Sequence, residues 1–260
     1  MVLQPELVLI VLAAVAPALL VGTLTALLTR PDGRQVAGAL VAFLWGALAA
    51  TFVASNLNDF ALAHAPAVVG ATLADVLVPA LIGPAVEELV KAAGFVAVAL
   101  VARGALRGVR GRIAAGVFIG FGFAVAENVS YYLLAAVQGG YDGLGRAIWL
   151  RGVVQSANHA VFAAAAGAAI GWADDRELRG YARARVVALG LLAAIVLHAI
   201  WNGVLSHAIT AVLCNAPPGG TACAPTPDTS DMLLGVPALE AAFLIPSAVA
   251  LRRVARRARA

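Results

Sequence analysis

Six long apolar segments leave this chain few folds other than a bundle of membrane-spanning helices. They are Leu7–Leu28, Val36–Ser55, Ile113–Val137, Ala147–Trp172, Val186–His207 and Met232–Leu251. A helix needs roughly 20 mostly apolar residues to cross a hydrocarbon core about 30 Å thick. Only 12% of the residues are charged and 62% are hydrophobic, whereas soluble domains carry about 25% charged residues. The sequence therefore predicts an all-α, polytopic transmembrane helix bundle that forms a single domain over residues 1–260.

The region Pro66–Val101 is harder to divide into spans. It is too long for a single crossing, and Pro79, Gly83 and Pro84 interrupt its helical pattern. It forms either two spans or a short outer-leaflet helix that leads into one span beginning near Pro84.

Arginine-rich segments set the orientation of the spans. They lie at residues 103–112, 176–185 and 252–259, and the positive-inside rule places all three on the cytoplasmic side. The basic loop at 30–34 joins that side only if Ala67–Ile82 does not cross completely. We therefore expect about seven to eight spans with one short or re-entrant segment, in a multi-pass protein of the cell membrane whose C-terminus is cytoplasmic.

This orientation assigns the two polar segments near the C-terminus. Residues 208–231 become an external loop, and 252–260 become a basic cytoplasmic tail in contact with anionic lipid. Cys214 and Cys223 lie in or at the edge of the external loop, where a disulfide and two unpaired thiols both remain open. The net charge of +4 comes from arginines between apolar segments, so we expect the lipid bilayer as a partner and no nucleic acid.

One helix carries three ionisable residues among apolar neighbours. Glu87, Glu88 and Lys91 lie at spacings of three and four residues, and Lys91 is the only lysine of the chain. An ionisable group at membrane depth costs roughly 2.5 kcal/mol or more to insert, so each needs a reason. One ammonium neutralises one carboxylate, which leaves the other as a general base or metal ligand. The alternative is a charge pair that only fixes helix packing.

Three further polar sets lie within predicted spans. Glu127 lies in the third of the clear spans, and Arg151 and His159 share one stripe of the next helix at a spacing of eight. His198 and Asn202 lie one turn apart in the span after that. Counting residues from the span ends places these sets between the midplane and the outer face, where they meet Glu87 in one cavity.

Four other ionisable residues lie nearer span ends or lack polar companions, and we set them aside: His64, Asp75, His207 and Glu240.

These polar residues resemble the motifs of the PrsW family of membrane-embedded proteases, which is distantly similar to the CAAX prenyl protease and bacteriocin-processing group. The motifs are Glu-Glu-x-x-Lys at Glu87, Phe-x-x-x-Glu at Phe123, Arg-x7-His at Arg151 and His-x-x-x-Asn at His198. They occur in family order within a motif core at 83–202. The resemblance implies an intramembrane endopeptidase that makes a site-1-type cut in a membrane-anchored protein, such as an anti-sigma factor, near the extracytoplasmic face.

For such a reaction we expect hydrolysis by an activated water. Whichever of Glu87 and Glu88 is not held by Lys91 takes a proton from the water. His198 orients the water or binds a metal, and Asn202 donates to the developing oxyanion.

His159 and Glu127 complete the predicted site, with Arg151 in support. Two imidazoles and one carboxylate, namely His159, His198 and Glu127, are an ordinary catalytic zinc set. The sequence leaves open whether the protease is glutamate-dependent or uses zinc or another divalent metal, and it contains no His-Glu-x-x-His motif. A proton-coupled transporter and a non-catalytic membrane scaffold are the alternative functions.

Overall fold

The computed structural model describes residues 4–102, 104–206 and 234–257. All regular structure in these ranges is helical, which confirms the predicted all-α class. The α-helices are α1 (Gln4–Thr29), α2 (Gly33–Leu44), α3 (Thr51–Val69), α4 (Ala71–Leu77), α5 (Gly83–Val101), α6 (Gly108–Ala147), α7 (Asn158–Asp175), α8 (Gly180–Ile200) and α9 (Val236–Arg257). Four π-helical segments adjoin them: π1 (Trp45–Ala50), π2 (Val78–Ile82), π3 (Ile148–Val154) and π4 (Trp201–Leu205). The predicted 208–231 loop and its cysteines lie outside the described residues.

The second apolar segment forms one long helical stretch. It begins at a capping box, in which the Asp32 carboxylate accepts from the Gln35 amide at 2.8 Å and the Gln35 side chain accepts from the Asp32 amide at 3.0 Å. α2, π1 and α3 then continue without a break through Gly33–Val69, which is 37 residues. The stretch ends at Gly70, whose φ of 84° favours glycine. The predicted span Val36–Ser55 is therefore only part of this helix.

The helix at 71–101 contains a π turn near its prolines and is not broken there. We predicted an interruption at Pro79, Gly83 and Pro84, but α4, π2 and α5 are continuous. Pro79 lacks an N–H and its ring crowds the preceding turn. The helix continues through a π turn, in which the N–H of Gly83 donates to the carbonyl of Val78, five residues back.

The predicted span Ala147–Trp172 is divided, which corrects part of the sequence-based picture. π3 ends at Val154, a turn follows, and α7 begins at Asn158. Arg151 and His159 therefore do not share one helical stripe. They still meet, because the turn brings α7 back beside α6 and both side chains reach the same residue of α6.

α6 and α7 form the centre of the bundle. Backbone approach between them depends on glycines spaced four apart on each helix: Gly116 and Gly120 on α6, and Gly167 and Gly171 on α7. A Cβ at Gly120 would collide with the backbone of His159 and Ala160, so this glycine sets how closely α6 approaches the first turn of α7. The main buried cluster joins α2, α5, α6, α7 and α8 through Ala42, Phe95, Val98, Ala115, Ile119, Ala166 and Ala194.

The outer surface of the bundle is apolar. Leu12, Leu28 and Val68 are among many large hydrophobic side chains that are well exposed on the helices, as lipid-facing residues are. In the described part of the chain, four helical stretches are long and apolar enough to cross a membrane, namely Glu6–Thr29, Gly33–Val69, Gly108–Asp175 and Gly180–Leu205. The longest of them contains both α6 and α7. The chain is thus a multi-pass membrane protein, and the count of seven to eight spans stays a prediction.

Candidate active site

Glu127, near the middle of α6, collects two of the predicted partners. Nη2 of Arg151 donates to its Oε2 at 2.7 Å, and Nε2 of His159 lies 2.8 Å from the same oxygen. Arg151 also donates from Nε to Oδ1 of Asn128 at 3.0 Å, and its guanidinium lies 3.7 Å from the ring centroid of Tyr131. Arg151 thus compensates the charge of Glu127 on one side, and His159 binds it on the other.

The Lys91 ammonium is the centre of the buried charge cluster. It is 1% exposed, and it donates to Oε1 of Glu88 at 2.8 Å while Oε2 of Glu87 lies 3.6 Å away. Its Nζ also lies 2.9 Å from Nδ1 of His159 and 4.0 Å from the ring centroid of Phe123. The close ion pair is therefore with Glu88, and Glu87 is the carboxylate that Lys91 leaves over.

The hydrogen bonds of His159 determine where its ring proton lies. An ammonium can only donate, so Nδ1 of His159 accepts from Lys91. The proton of the neutral ring then lies on Nε2 and is donated to Glu127. Both ring nitrogens are engaged, and the ring is fixed between two helices.

His198 has the opposite arrangement. Its Nδ1 lies 2.9 Å from Oε1 of Glu88, and because a carboxylate only accepts, Nδ1 carries the proton. Nε2 of the neutral ring is then an acceptor, and it lies 3.8 Å from Oε2 of Glu87. The ring is stacked on Phe162, with centroids 4.8 Å apart. His198 therefore presents a lone pair toward the unpaired oxygen of Glu87.

Asn202 lies in π4 and joins it to π2. Its Nδ2 donates to the carbonyl oxygen of Pro79 at 3.1 Å. In the π pattern that carbonyl would accept from the residue five positions on, but that residue is Pro84, which has no N–H. The two prolines thus leave a carbonyl that the side chain of Asn202 satisfies.

A cavity of about 230 Å³ opens onto this cluster. The predicted residues on its wall are Glu127, Arg151, His159, His198 and Asn202. Glu87 is not on the wall, and its Oε2 is buried beside His198. The structure thus brings the four predicted sets to one place, with both imidazoles between the cavity and the acidic pair.

Sequence reasoning missed two residues that contact the cluster. Nδ2 of Asn58, on α3, donates to Oε1 of Glu87 at 3.3 Å. Glu240, on α9, is 3% exposed and approaches Asn158, the residue before His159. The available signal was the same for both, a polar side chain within a long apolar helix, and we set Glu240 aside because its companion is distant in sequence.

The donor atoms fit a divalent metal. One ligand atom each from Glu87, His159 and His198 lies within 4.8 Å of the others. Oε2 of Glu87 is buried and has no hydrogen-bond partner among the described residues, which is the state expected of an oxygen reserved for a ligand. The carboxylate of this group is Glu87, and the set predicted from sequence, with Glu127 in that place, stays a prediction.

Carboxylates, imidazoles and an ammonium around a cavity in a membrane-helix bundle are the groups that an intramembrane hydrolase needs. A family model described as PrsW family intramembrane metalloprotease matches residues 34–218. The chain belongs to the PrsW family and is an intramembrane peptidase, so its substrate is a membrane protein. A search of curated proteins and a search of solved structures found no match.

Proposed function

We propose that the protein cleaves a single-span membrane-anchored protein, such as an anti-sigma factor, near the extracytoplasmic face, and that Glu87 is the general base. The observation that carries this assignment is Oε2 of Glu87, which is buried, has no hydrogen-bond partner among the described residues and lies 3.8 Å from the acceptor nitrogen of His198. Oε2 of Glu88 also lacks such a partner, but Oε1 of Glu88 binds both Lys91, at 2.8 Å, and His198, at 2.9 Å, whereas Lys91 lies 3.6 Å from Glu87.

In this mechanism Glu87 and His198 bind the attacking water through Oε2 and Nε2. Glu87 takes one proton as the water oxygen attacks the scissile carbonyl, and later gives that proton to the nitrogen of the leaving amine. Glu88 keeps His198 in the tautomer with an unprotonated Nε2. Asn202, on the cavity wall, donates from its side-chain amide to the developing oxyanion.

His159 and Glu127 also lie on the cavity wall, and the His159 ring is a neighbour of His198, with centroids 5.1 Å apart. His159 donates to Glu127, and Arg151 keeps that carboxylate ionised and in place. The pair therefore fixes the ring that faces the reacting carbonyl without supplying the base. This separation of roles follows from charge, because Glu127 has a close cationic partner in Arg151 and Glu87 has a more distant one in Lys91.

Glu87, His159 and His198 would hold a divalent metal such as zinc, as their converging donor atoms suggest. When bound, the metal would act as a Lewis acid that polarises the scissile carbonyl. His159 would then give up one of its bonds, to Lys91 or to Glu127. The hydrogen-bond pattern therefore makes Lys91 a competitor of the metal for this ring.

The arginine pattern supports cleavage on the extracytoplasmic side of the membrane. A cytoplasmic C-terminus and cytoplasmic loops at 103–112 and 176–185 put the polar cluster toward the extracytoplasmic half of the bilayer. A peptide bond just outside the hydrocarbon core would then reach the cavity. This geometry favours a substrate that crosses the membrane once and is cut near its external end.

The test uses the purified full-length protein and a single-span fusion protein as probe, with product masses read by mass spectrometry. We expect one cut on the external side, loss of the cut in Glu87→Gln and no change in Glu177→Gln, which alters an exposed glutamate. A chelator abolishes cleavage if the site uses a metal. Wild-type cleavage that persists in Glu87→Gln would overturn the role of Glu87, and a cytoplasmic cut would overturn the orientation.

A further inference from the structure

A third buried carboxyl, Glu240, lies beside the active site without an ionic partner among the described residues. It is on α9, beyond the residues that the family model matches. Neither of its oxygens has a hydrogen-bond partner of good geometry in the part of the chain that the structure describes. The side chain that approaches it is Asn158, whose amide oxygen and nitrogen are also buried and lack close partners there.

Asn158 connects Glu240 to the active site. It is the first residue of α7, it precedes His159, and it lies on the cavity wall. Buried polar groups are rarely retained without partners, because the loss of hydration is unfavourable for each of them. A carboxyl and an amide that face each other at 3% exposure are therefore each other's available partner in the described part of the chain.

The packing around this pair reaches the other histidine as well. Phe243, three residues after Glu240, lies 6.2 Å from Phe162 and 5.8 Å from Trp201 between ring centroids. Phe162 is itself stacked on His198. α9 therefore contacts α7 next to His159 and π4 next to His198, and it touches both from outside the cavity.

We propose that Glu240 is a positioning residue of the peptidase site, which acts through Asn158 to fix the first turn of α7 and the ring of His159. Glu240 touches no reacting atom in this scheme. Its contact with Asn158 holds the helix end that follows the turn at 155–157, where the chain lacks regular helical hydrogen bonds. This inference rests on the proposed function only where its test measures cleavage.

The test compares Glu240→Leu with Glu240→Gln and with Ser247→Ala. The hydroxyl of Ser247 donates to the carbonyl of Phe243 within the same helix at 3.1 Å, so its loss removes from α9 a polar group whose hydrogen bond stays within that helix. Kinetics with the single-span probe give kcat and KM, and thermal unfolding gives Tm. ¹⁵N NMR of histidine-labelled protein gives the state of the His159 ring, with His159→Gln used for assignment.

We expect Glu240→Leu to lower kcat about 10-fold with little change in KM. Its Tm should change by less than about 4 °C, because removing an unpaired buried carboxyl offsets the loss at Asn158. Glu240→Gln and Ser247→Ala should keep kcat and Tm close to the wild-type values. The double variant Glu240→Leu/Asn158→Leu should have the same kcat as Asn158→Leu alone, because both substitutions break the same contact. The His159 resonances should shift in Glu240→Leu only.

Two results would overturn the proposal. One is that Glu240→Leu keeps the wild-type kcat and leaves the His159 resonances unchanged. If His198→Ala has lost cleavage in the same assay, the proposed function still holds and only the role of Glu240 fails. The other is a large fall in Tm that accounts for the lost activity, which makes Glu240 a stability residue. If the wild-type protein does not cleave the probe, the proposed function fails, and the NMR arm still decides the role of Glu240.

Discussion

Lys91→Met should be one of the most destabilising single substitutions in this protein. The side chain is 1% exposed, and methionine has a similar length without the charge. The substitution removes a charge-assisted bond to Glu88 at 2.8 Å and a bond to His159 at 2.9 Å. It also leaves two buried carboxylates, Glu87 and Glu88, without their cation.

The magnitude follows from these losses. A hydrogen bond to a charged group contributes about 1.5–3 kcal/mol, and breaking a buried ion pair by removing one partner costs about 3–5 kcal/mol. The two estimates describe the same contacts and are not added, so we expect a loss of about 3–5 kcal/mol. The lower end of this range applies if Glu87 or Glu88 takes up a proton, because one buried charge is then removed.

The assay is equilibrium unfolding in mixed micelles, followed by circular dichroism, for wild type, Lys91→Met, Glu88→Gln and the double variant. The double variant should lose about 2 kcal/mol less than the sum of the single variants, because it leaves no unpaired charge between these two positions. A loss below about 1 kcal/mol in Lys91→Met, or strict additivity in the double variant, would refute the reasoning that Lys91 compensates a buried charge.

Two further predictions concern residues that support the site. Gly120→Ala should destabilise the protein by about 1–3 kcal/mol and slow cleavage, because its Cβ meets the backbone of His159. The control is Gly139→Ala, where a Cβ meets nothing within 4 Å. Equal behaviour of the two variants in unfolding and cleavage assays would contradict the packing argument. Asn58→Leu should lower kcat about 10-fold because Glu87 loses its amide donor. Asn56→Leu, which removes only a bond to the Phe52 carbonyl on an exposed face, should not, and an unchanged kcat in Asn58→Leu would remove Asn58 from the site.

The acidic cluster was predictable because helical spacing is local. Glu87, Glu88 and Lys91 must share one side of a helix whatever the rest of the chain does. Which glutamate takes the ammonium was not predictable, since spacings of three and four both permit the contact. The decision comes from His198, which binds Glu88 from another helix.

The backbone irregularities were harder to foresee. Pro79 and Pro84 indicate a break by local rules, but a π turn keeps the helix continuous and its spare carbonyl binds Asn202. The turn between Arg151 and His159 occurs in an apolar segment of ordinary span length, so length alone predicted one helix. Asn58 and Glu240 acquire their roles only when α3 and α9 pack beside residues far away in the chain.

A paired measurement of cleavage and stability in Glu87→Gln and Glu88→Gln tests whether Glu87 is the general base. Both variants should lose cleavage of the single-span probe. Glu87→Gln should keep or exceed wild-type stability, because it neutralises the carboxylate left over by Lys91, whereas Glu88→Gln should lose stability with its ion pair. Cleavage retained in Glu87→Gln, or a stability loss confined to Glu87→Gln, would contradict the assignment of Glu87 as the general base.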